Sequence, residues 1–255
     1  TIVNGLESSS DEAKKTASDN YGNIIITGSS NNKYCNADIV TIKYAPNGDT
    51  LWTKVFEDAG NDWATSVQVT NDGAYLIAGY TTSYGAGNTD VYAVKIDGKG
   101  NYISAKTFGG KGFEEARGIC PDGTGGYIIA GHSNSFGKND YDAYVIRVDA
   151  AGDCVWAKTF GGAGNERINS ITQAGSGKFL IAGTSNSKNM KLPDSYILTA
   201  GLDGSLISEY YYGDVYADDA HSAIVTRDGN ILIAAGKGSK ESINDITLMK
   251  TGPQG

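Results

Sequence analysis

The sequence predicts an all-β domain, a five-bladed β-propeller with four antiparallel strands per blade, on three observations. The aromatic residues Phe56, Phe108, Phe160 and Tyr212 stand 52 residues apart each time. An aspartate column, Asp38, Asp90, Asp142, Asp194 and Asp245, keeps the same step, with one interval of 51. A second acidic column, Asp11, Asp62, Glu114, Glu166 and Asp218, runs in the same register. A repeat of about 50 residues that contains several short strands is the sequence signature of blades packed face to face around an axis.

Each unit carries four strand signals, and the third shows them best. Ala116 to Cys120 is followed by the turn Pro121-Asp-Gly-Thr-Gly-Gly, then Tyr127 to Gly131, then Asp142 to Val148 with clear alternation, then Cys154 to Phe160. Short β-rich runs bounded by Gly, Asp and Asn read as strands and hairpins, and nothing keeps a helical period. The second strand of every unit is almost wholly apolar: Ile24–Ile26, Tyr75–Ile77, Ile128–Ile129, Phe179–Ile181 and Ile231–Ile233. Such runs belong to strands buried on both faces. Gly28, Gly79, Gly131, Gly183 and Ala235 follow them, a pattern expected where one blade closely approaches the next. The repeats divide as 11–61, 62–113, 114–165, 166–217 and 218–255 with 1–10. The last copy ends at its third strand, so residues Thr1 to Val3 are expected to supply its outer strand and close the ring, leaving no open sheet edge.

Composition narrows the function classes. The formal net charge is −8, which disfavours a nucleic-acid binder and an anionic membrane surface. No apolar run reaches 18 residues, so no membrane span is expected. No signal peptide and no N-glycosylation sequon is visible, and a chain starting at Thr1 fits a processed protein or an excised domain. The three cysteines are Cys35, Cys120 and Cys154. Cys120 and Cys154 fall on the inner and outer strands of one blade, ~14 Å apart at ordinary strand spacing, beyond disulfide reach. Free thiols are expected.

The stretches YLIAGYTTSYGAGNTDVYAVKIDGKGNYISAKTFGGKGF and YIIAGHSNSFGKNDYDAYVIRVDAAGDCVWAKTFGGAGNE resemble the bacterial and archaeal beta-propeller repeat proteins. The resemblance covers the whole chain and departs in the fourth copy, with EYYYGDVY where KTFGG is the pattern, and in the fifth, with Ala235 in place of Gly. It implies a secreted or surface-anchored location and no single activity. In size and blade number the chain is also similar to the tachylectin-type five-bladed lectins, although no sugar-binding motif of that group is visible.

Function is expected where the repeats differ. The loops Phe56 to Asp62, Phe108 to Glu114, Phe160 to Glu166 and Tyr212 to Asp218 share one face with the loops that lead to the strand-three Asp. The other face has tight turns such as Asn47-Gly48 and Asp72-Gly73. The acidic columns recur in every unit and are read as scaffold, accepting backbone N–H bonds from the adjacent loops. Two columns vary. One, with Lys14, Thr65, Arg117, Asn169 and His221, is placed at the channel mouth. The other, with Ser29, Tyr80, His132, Thr184 and Gly236, has Trp63, Tyr84, Phe113 and Phe136 beside it. Aromatic rings next to short polar side chains suit sugar recognition, by stacking on a ring face and hydrogen bonding to hydroxyls. Trp63, Tyr80, His132, Arg117, His221, Tyr84 and Phe136 are therefore the candidate ligand-binding residues.

No nucleophile motif, no His/Cys cluster and no calcium loop of the D-x-D-x-D-G type is present, and no helix follows the Gly-rich strings. No cofactor, no metal and no catalytic residue is assigned, and the chain is expected not to be an enzyme. The reading is a monomeric extracellular or cell-surface binding or adhesion module, for a glycan or another surface protein. The alternatives are a structural spacer or assembly module, and a glycoside hydrolase with paired carboxylates.

Overall fold

The computed structural model of the chain describes residues 10–31, 36–137, 141–188, 192–238 and 245–253. These residues form nineteen strands and no helix. The first sheet comprises β1 (Asp11–Ser18), β2 (Ile24–Asn31), β3 (Ala37–Tyr44) and β4 (Thr50–Phe56). The second comprises β5 (Asp62–Val69), β6 (Tyr75–Thr81), β7 (Asp90–Ile96) and β8 (Tyr102–Phe108). The third holds β9 (Glu114–Pro121), β10 (Tyr127–Ser133), β11 (Asp142–Val148) and β12 (Cys154–Phe160), and the fourth holds β13 (Glu166–Gln173), β14 (Lys178–Ser185), β15 (Asp194–Gly201) and β16 (Leu206–Tyr212). The fifth holds β17 (Asp218–Val225), β18 (Ile231–Lys237) and β19 (Asp245–Thr251). Every sheet is antiparallel with its strands in chain order. The fifth sheet thus has three strands among the described residues where four were expected; its expected fourth strand, Thr1 to Val3, lies outside them.

The chain divides into two compact units, Thr1–Ala116 and Arg117–Gly255. In the first, Ile25 and Ile39 of the first sheet pack against Ala64, Val67, Ile77 and Val94 of the second. In the second unit, Ile128, Ala130 and Val145 meet Ile168, Ile181 and Leu198, while Leu180, Ala182 and Ile197 meet Ala220, Ala223 and Ile233. Sheets consecutive in sequence therefore lie face to face within each unit. In β6, β10 and β14 the residues of both faces are buried, which is why those strands read as unbroken apolar runs, whereas β18 exposes alternate residues. Tryptophans on outer strands brace neighbouring sheets: Trp52 Nε1 donates to Gly98 O at 3.2 Å, and Trp156 Nε1 donates to Leu202 O at 3.0 Å. No helix of the described residues is long and apolar enough to cross a membrane.

The recurrent glycine has a different cause from the one expected. A Cβ on Gly79 would lie 1.7 Å from Trp63 O, and one on Gly183 would lie 2.0 Å from Arg167 O. Both carbonyls belong to the adjacent strand of the same sheet, where a bulge shifts the register, between Ala64 and Ser66 in one case and Ile168 and Ser170 in the other. The close approach is strand to strand within a sheet, driven by the bulge. Of the cysteines, Cys120 is buried and Cys154 exposed, both free; Cys35 lies outside the described residues.

Candidate functional site

The acidic columns sit at the strand ends next to the long loops, and the structure buries nearly all of them. Asp38, Asp62, Asp90, Glu114, Asp142, Glu166, Asp194 and Asp218 are buried, whereas Asp11 and Asp245 are exposed. Five of the buried carboxylates, Asp38, Asp90, Glu114, Glu166 and Asp218, accept hydrogen bonds from loop N–H groups. Ala86 N and Gly87 N donate to Asp90 Oδ2, both at 3.1 Å. Gly110 N donates to Glu114 Oε2 at 2.6 Å, and Gly162 N donates to Glu166 Oε2 at 3.0 Å. The hydroxyls of Ser185 and Ser187 both donate to Glu166 Oε1 at 2.5 Å.

Acids of successive repeats meet across one glycine: a Cβ on Gly109 would fall 2.1 Å from Asp90 Oδ1 and 2.4 Å from Glu114 Oε2. Burial, and then the like charge of the neighbour, push Asp90 and Glu166 above the ordinary carboxylate range. Asp62 and Asp218 are raised the same way, burial first.

The loop after β4, where Asp58 N donates to Asp38 Oδ1 at 3.4 Å, borders a cleft in the first unit. It has a volume of about 420 Å³ and lies between the end of β4 and strands β7 and β8, within the size range of ligand pockets. Phe56, Tyr84, Tyr92 and Tyr102 line it, with Asp58 and Lys106 among its polar groups. Tyr102 is 60% exposed and Tyr84 48%, while Tyr92 is buried. The rings of Tyr84 and Tyr92 lie 5.8 Å apart, tilted by 34°. Tyr84 Oη donates to Asp58 Oδ1 at 2.5 Å; that bond, and then desolvation, push the phenol up to about 12. The tyrosine therefore stays a neutral donor locked to Asp58, and its ring is fixed for stacking. An aromatic wall with a carboxylate and hydroxyls on its rim can hold a ring that is apolar on its faces and hydroxylated at its edges.

Of the seven residues singled out from sequence, Tyr84 lines this cleft. Trp63 and Tyr80 are register partners on β5 and β6. Their rings stack on each other at 4.8 Å and 29°, so each covers a face of the other. Tyr80 pairs with Val91, and Tyr92 points to the opposite face of the sheet, which removes the pair from the cleft.

In the second unit Phe136, 39% exposed, tilts over Tyr144 at 5.4 Å, one repeat on from the Tyr84–Tyr92 pair. His132 is 2% exposed and packs edge-on to Tyr141 at 5.5 Å, so its placement in an open ligand face is corrected. Strand β10 runs on through Ser133 and pairs His132 with Ala143, which keeps the ring on the sheet face it shares with Ile128 and Ala130. Arg117 is half-buried on β9. His221 is exposed on β17, its Nδ1 3.8 Å from Asp219 Oδ2.

Tyr92, Tyr102 and Asp58 were missed. A signal for the first exists, since Tyr92, Tyr144 and Tyr196 each stand two residues after the strand-three Asp.

No family model matches this chain, and no curated protein matches it. Solved structures do match its fold. A polysaccharide lyase, an ulvan lyase, aligns with a TM-score of 0.62 at 11% identity, over 94% of this chain and 67% of its own. The WD40 domain of Pan2 from Neurospora crassa aligns with a TM-score of 0.54 at 13% identity, over 96% and 81%. An apocarotenoid oxygenase of Synechocystis, in a mutant form, aligns with a TM-score of 0.55 at 12% identity, over 94% and 58%. At such identities the likeness shows the fold alone, a β-propeller repeat architecture.

Two of these three are enzymes, and the expectation that the chain is not one is corrected accordingly: enzymes are built on this fold. The acidic columns, which recur in every unit, read as scaffold in the sequence. The structure makes their environments unequal, with two exposed, the rest buried, and four of those pushed upward.

Proposed function

We propose that the chain serves in carbohydrate recognition at the cell surface or outside the cell, with the cleft of Phe56, Tyr84, Tyr92 and Tyr102 as its binding site. The observation that carries this reading is the set of tyrosine rings on one wall, two of them exposed, with Asp58 fixed against the Tyr84 hydroxyl. The shared fold with an ulvan lyase, solved also bound to -[GlcA(1-4)Rha3S]- with a TM-score of 0.60 to this chain, supports a carbohydrate-related role. The rim differs from what an acidic polysaccharide needs. It offers Glu57 and Asp58 against Lys106, on a chain of net charge −8, so neutral sugars are the ligands that suit it.

A glycan array followed by calorimetry with the best neutral oligosaccharide tests the proposal. Each stacked ring contributes about 0.5–1.5 kcal/mol, so Tyr84→Ala or Tyr102→Ala weakens binding by up to about tenfold. An array without hits, or binding indifferent to both substitutions, refutes the reading.

A further inference from the structure

A second cleft, of about 430 Å³, lies between the fourth and fifth sheets, entirely within the second unit. Its walls include Ser195, Tyr211, Tyr212, Asp218, Lys237 and Met249. In the repeat, Tyr212 and Met249 occupy the positions of Phe56 and Val94 in the first cleft, and Asp214 that of Asp58. The polar groups are arranged differently, however. Ser195 and Tyr212 are register partners on β15 and β16, so their side chains stand side by side on the face that packs against the fifth sheet. Ser195 is 0% exposed. Among the described residues, neither Ser195 Oγ nor Tyr212 Oη has a hydrogen-bond partner. Buried hydroxyls without partners are rare in a native fold, and two on one cleft face mark a place for a bound group.

The charge around them is unbalanced. Lys237 is matched by Asp214 at 3.4 Å. Asp218 is buried and accepts from Asp214 N at 3.3 Å; the charges of Asp214, Lys237 and Asp194 act on it in that order. Asp194 Oδ1 is buried as well, with no hydrogen-bond partner among the described residues. With Asp214 and Asp218 against Lys237, the cleft lining keeps one net negative charge, and the charge of Asp194 adds to it from just outside. Met249 adds apolar surface, whereas the Tyr211 ring turns to the other face of its sheet and packs on Tyr196.

We infer that this cleft is a second binding site, for a hydroxylated ligand carrying a cationic amine, of the amino-sugar class; the choice of a sugar rests on the carbohydrate reading above. The ligand hydroxyls pair with Ser195 Oγ and Tyr212 Oη, and its ammonium lies against Asp218.

The test is calorimetry and ligand-observed NMR with glucosamine oligomers, against glucose and N-acetylglucosamine oligomers of equal length. Wild-type protein is expected to prefer the free amine. Tyr212→Phe, which keeps the ring, and Ser195→Ala are each expected to weaken that binding about threefold to tenfold. Asp218→Asn is expected to abolish the preference for the amine, with circular dichroism confirming that each variant is folded. Absence of glucosamine binding, binding insensitive to both hydroxyl deletions, or a crystal structure with ordered water only at the two hydroxyls after a glucosamine soak, overturns the inference. If neutral glycans bind and Tyr84→Ala weakens them while glucosamine does not bind, this site alone fails. If no sugar of either kind binds, the carbohydrate reading fails with it.

Discussion

Replacing Gly183 with alanine tests the bulge geometry on which each sheet depends. The new Cβ would stand 2.0 Å from Arg167 O and 2.9 Å from both Arg167 C and Ile168 Cα. Ordinary contact distances are about 3.5 Å, so the bulge carbonyl must retreat by more than ~1 Å. That retreat strains the pairings Arg167↔Thr184 and Ile168↔Gly183. Overpacking of a tight site costs about 1–3 kcal/mol, and one weakened ladder bond adds about 1 kcal/mol. The lower chain entropy of alanine returns about 0.5–1 kcal/mol, so the net loss is about 2–3 kcal/mol. In urea, at a slope of about 2–3 kcal/mol/M, the midpoint falls by about 1 M. The fifth sheet provides the control. Ala235 holds the equivalent register, opposite Ala220 at a bulge between Ala220 and Ser222, and Ala235→Gly should move the midpoint by no more than about 0.5 M. A Gly183→Ala protein with an unchanged midpoint refutes the bulge-clash argument.

Acidity provides a further test. Asp62, Asp90, Glu166 and Asp218 all have folded pKa values above their unfolded ones. Their contribution to stability is therefore full below about pH 4 and is lost as pH rises through the folded values. Asp19 behaves oppositely: burial pushes it up, but hydrogen bonds from Asn23 and Lys43 outweigh that and hold it at about 2, so its contribution is lost only near that pH. The urea midpoint should rise as pH is lowered from 7.5 toward the unfolded carboxylate values at about pH 4 and fall by pH 2; a fall already above about pH 4 contradicts the assignment. Lys43→Met should destabilise the first unit at pH 7 by several kcal/mol, because it strips the ion pair from Asp19, 3.1 Å away and 8% exposed; calorimetric melting measures it. Glu166→Gln should flatten the rise on lowering the pH toward about 4, measured in the same titration.

Much of the fold could be read from the chain. Two strands of the third repeat, Asp142–Val148 and Cys154–Phe160, carry the bounds expected of them, because an acid or a tight turn punctuates each end. The turns at Gly48 and Gly73 have φ of 91° and 76°, conformations that select glycine. The site was less legible. Tyr84 stands in a loop and drew attention, but Tyr92 and Tyr102 lie within strands, where an aromatic is indistinguishable from core until the facing sheet is known. The same ambiguity misplaced His132, one residue beyond a glycine that appeared to end its strand. Burial of the acids was also hidden, since an aspartate beside a glycine-rich loop reads alike whether it meets solvent or backbone.

The tryptophan braces also make each unit separately visible to light. Trp52 and Trp63 belong to the first unit and Trp156 to the second. Indole emission excited near the red edge of absorption therefore divides by unit once a single residue is changed. A Trp156→Phe protein reports the first unit alone, and a protein with Trp52 and Trp63 both changed to Phe reports the second. Loss of the bonds to Gly98 O and Leu202 O changes the polarity around the indoles, so the emission maximum of each variant follows the separation of its own sheets. Whether the two units melt at one urea concentration or at two becomes a fluorescence measurement on a pair of variants.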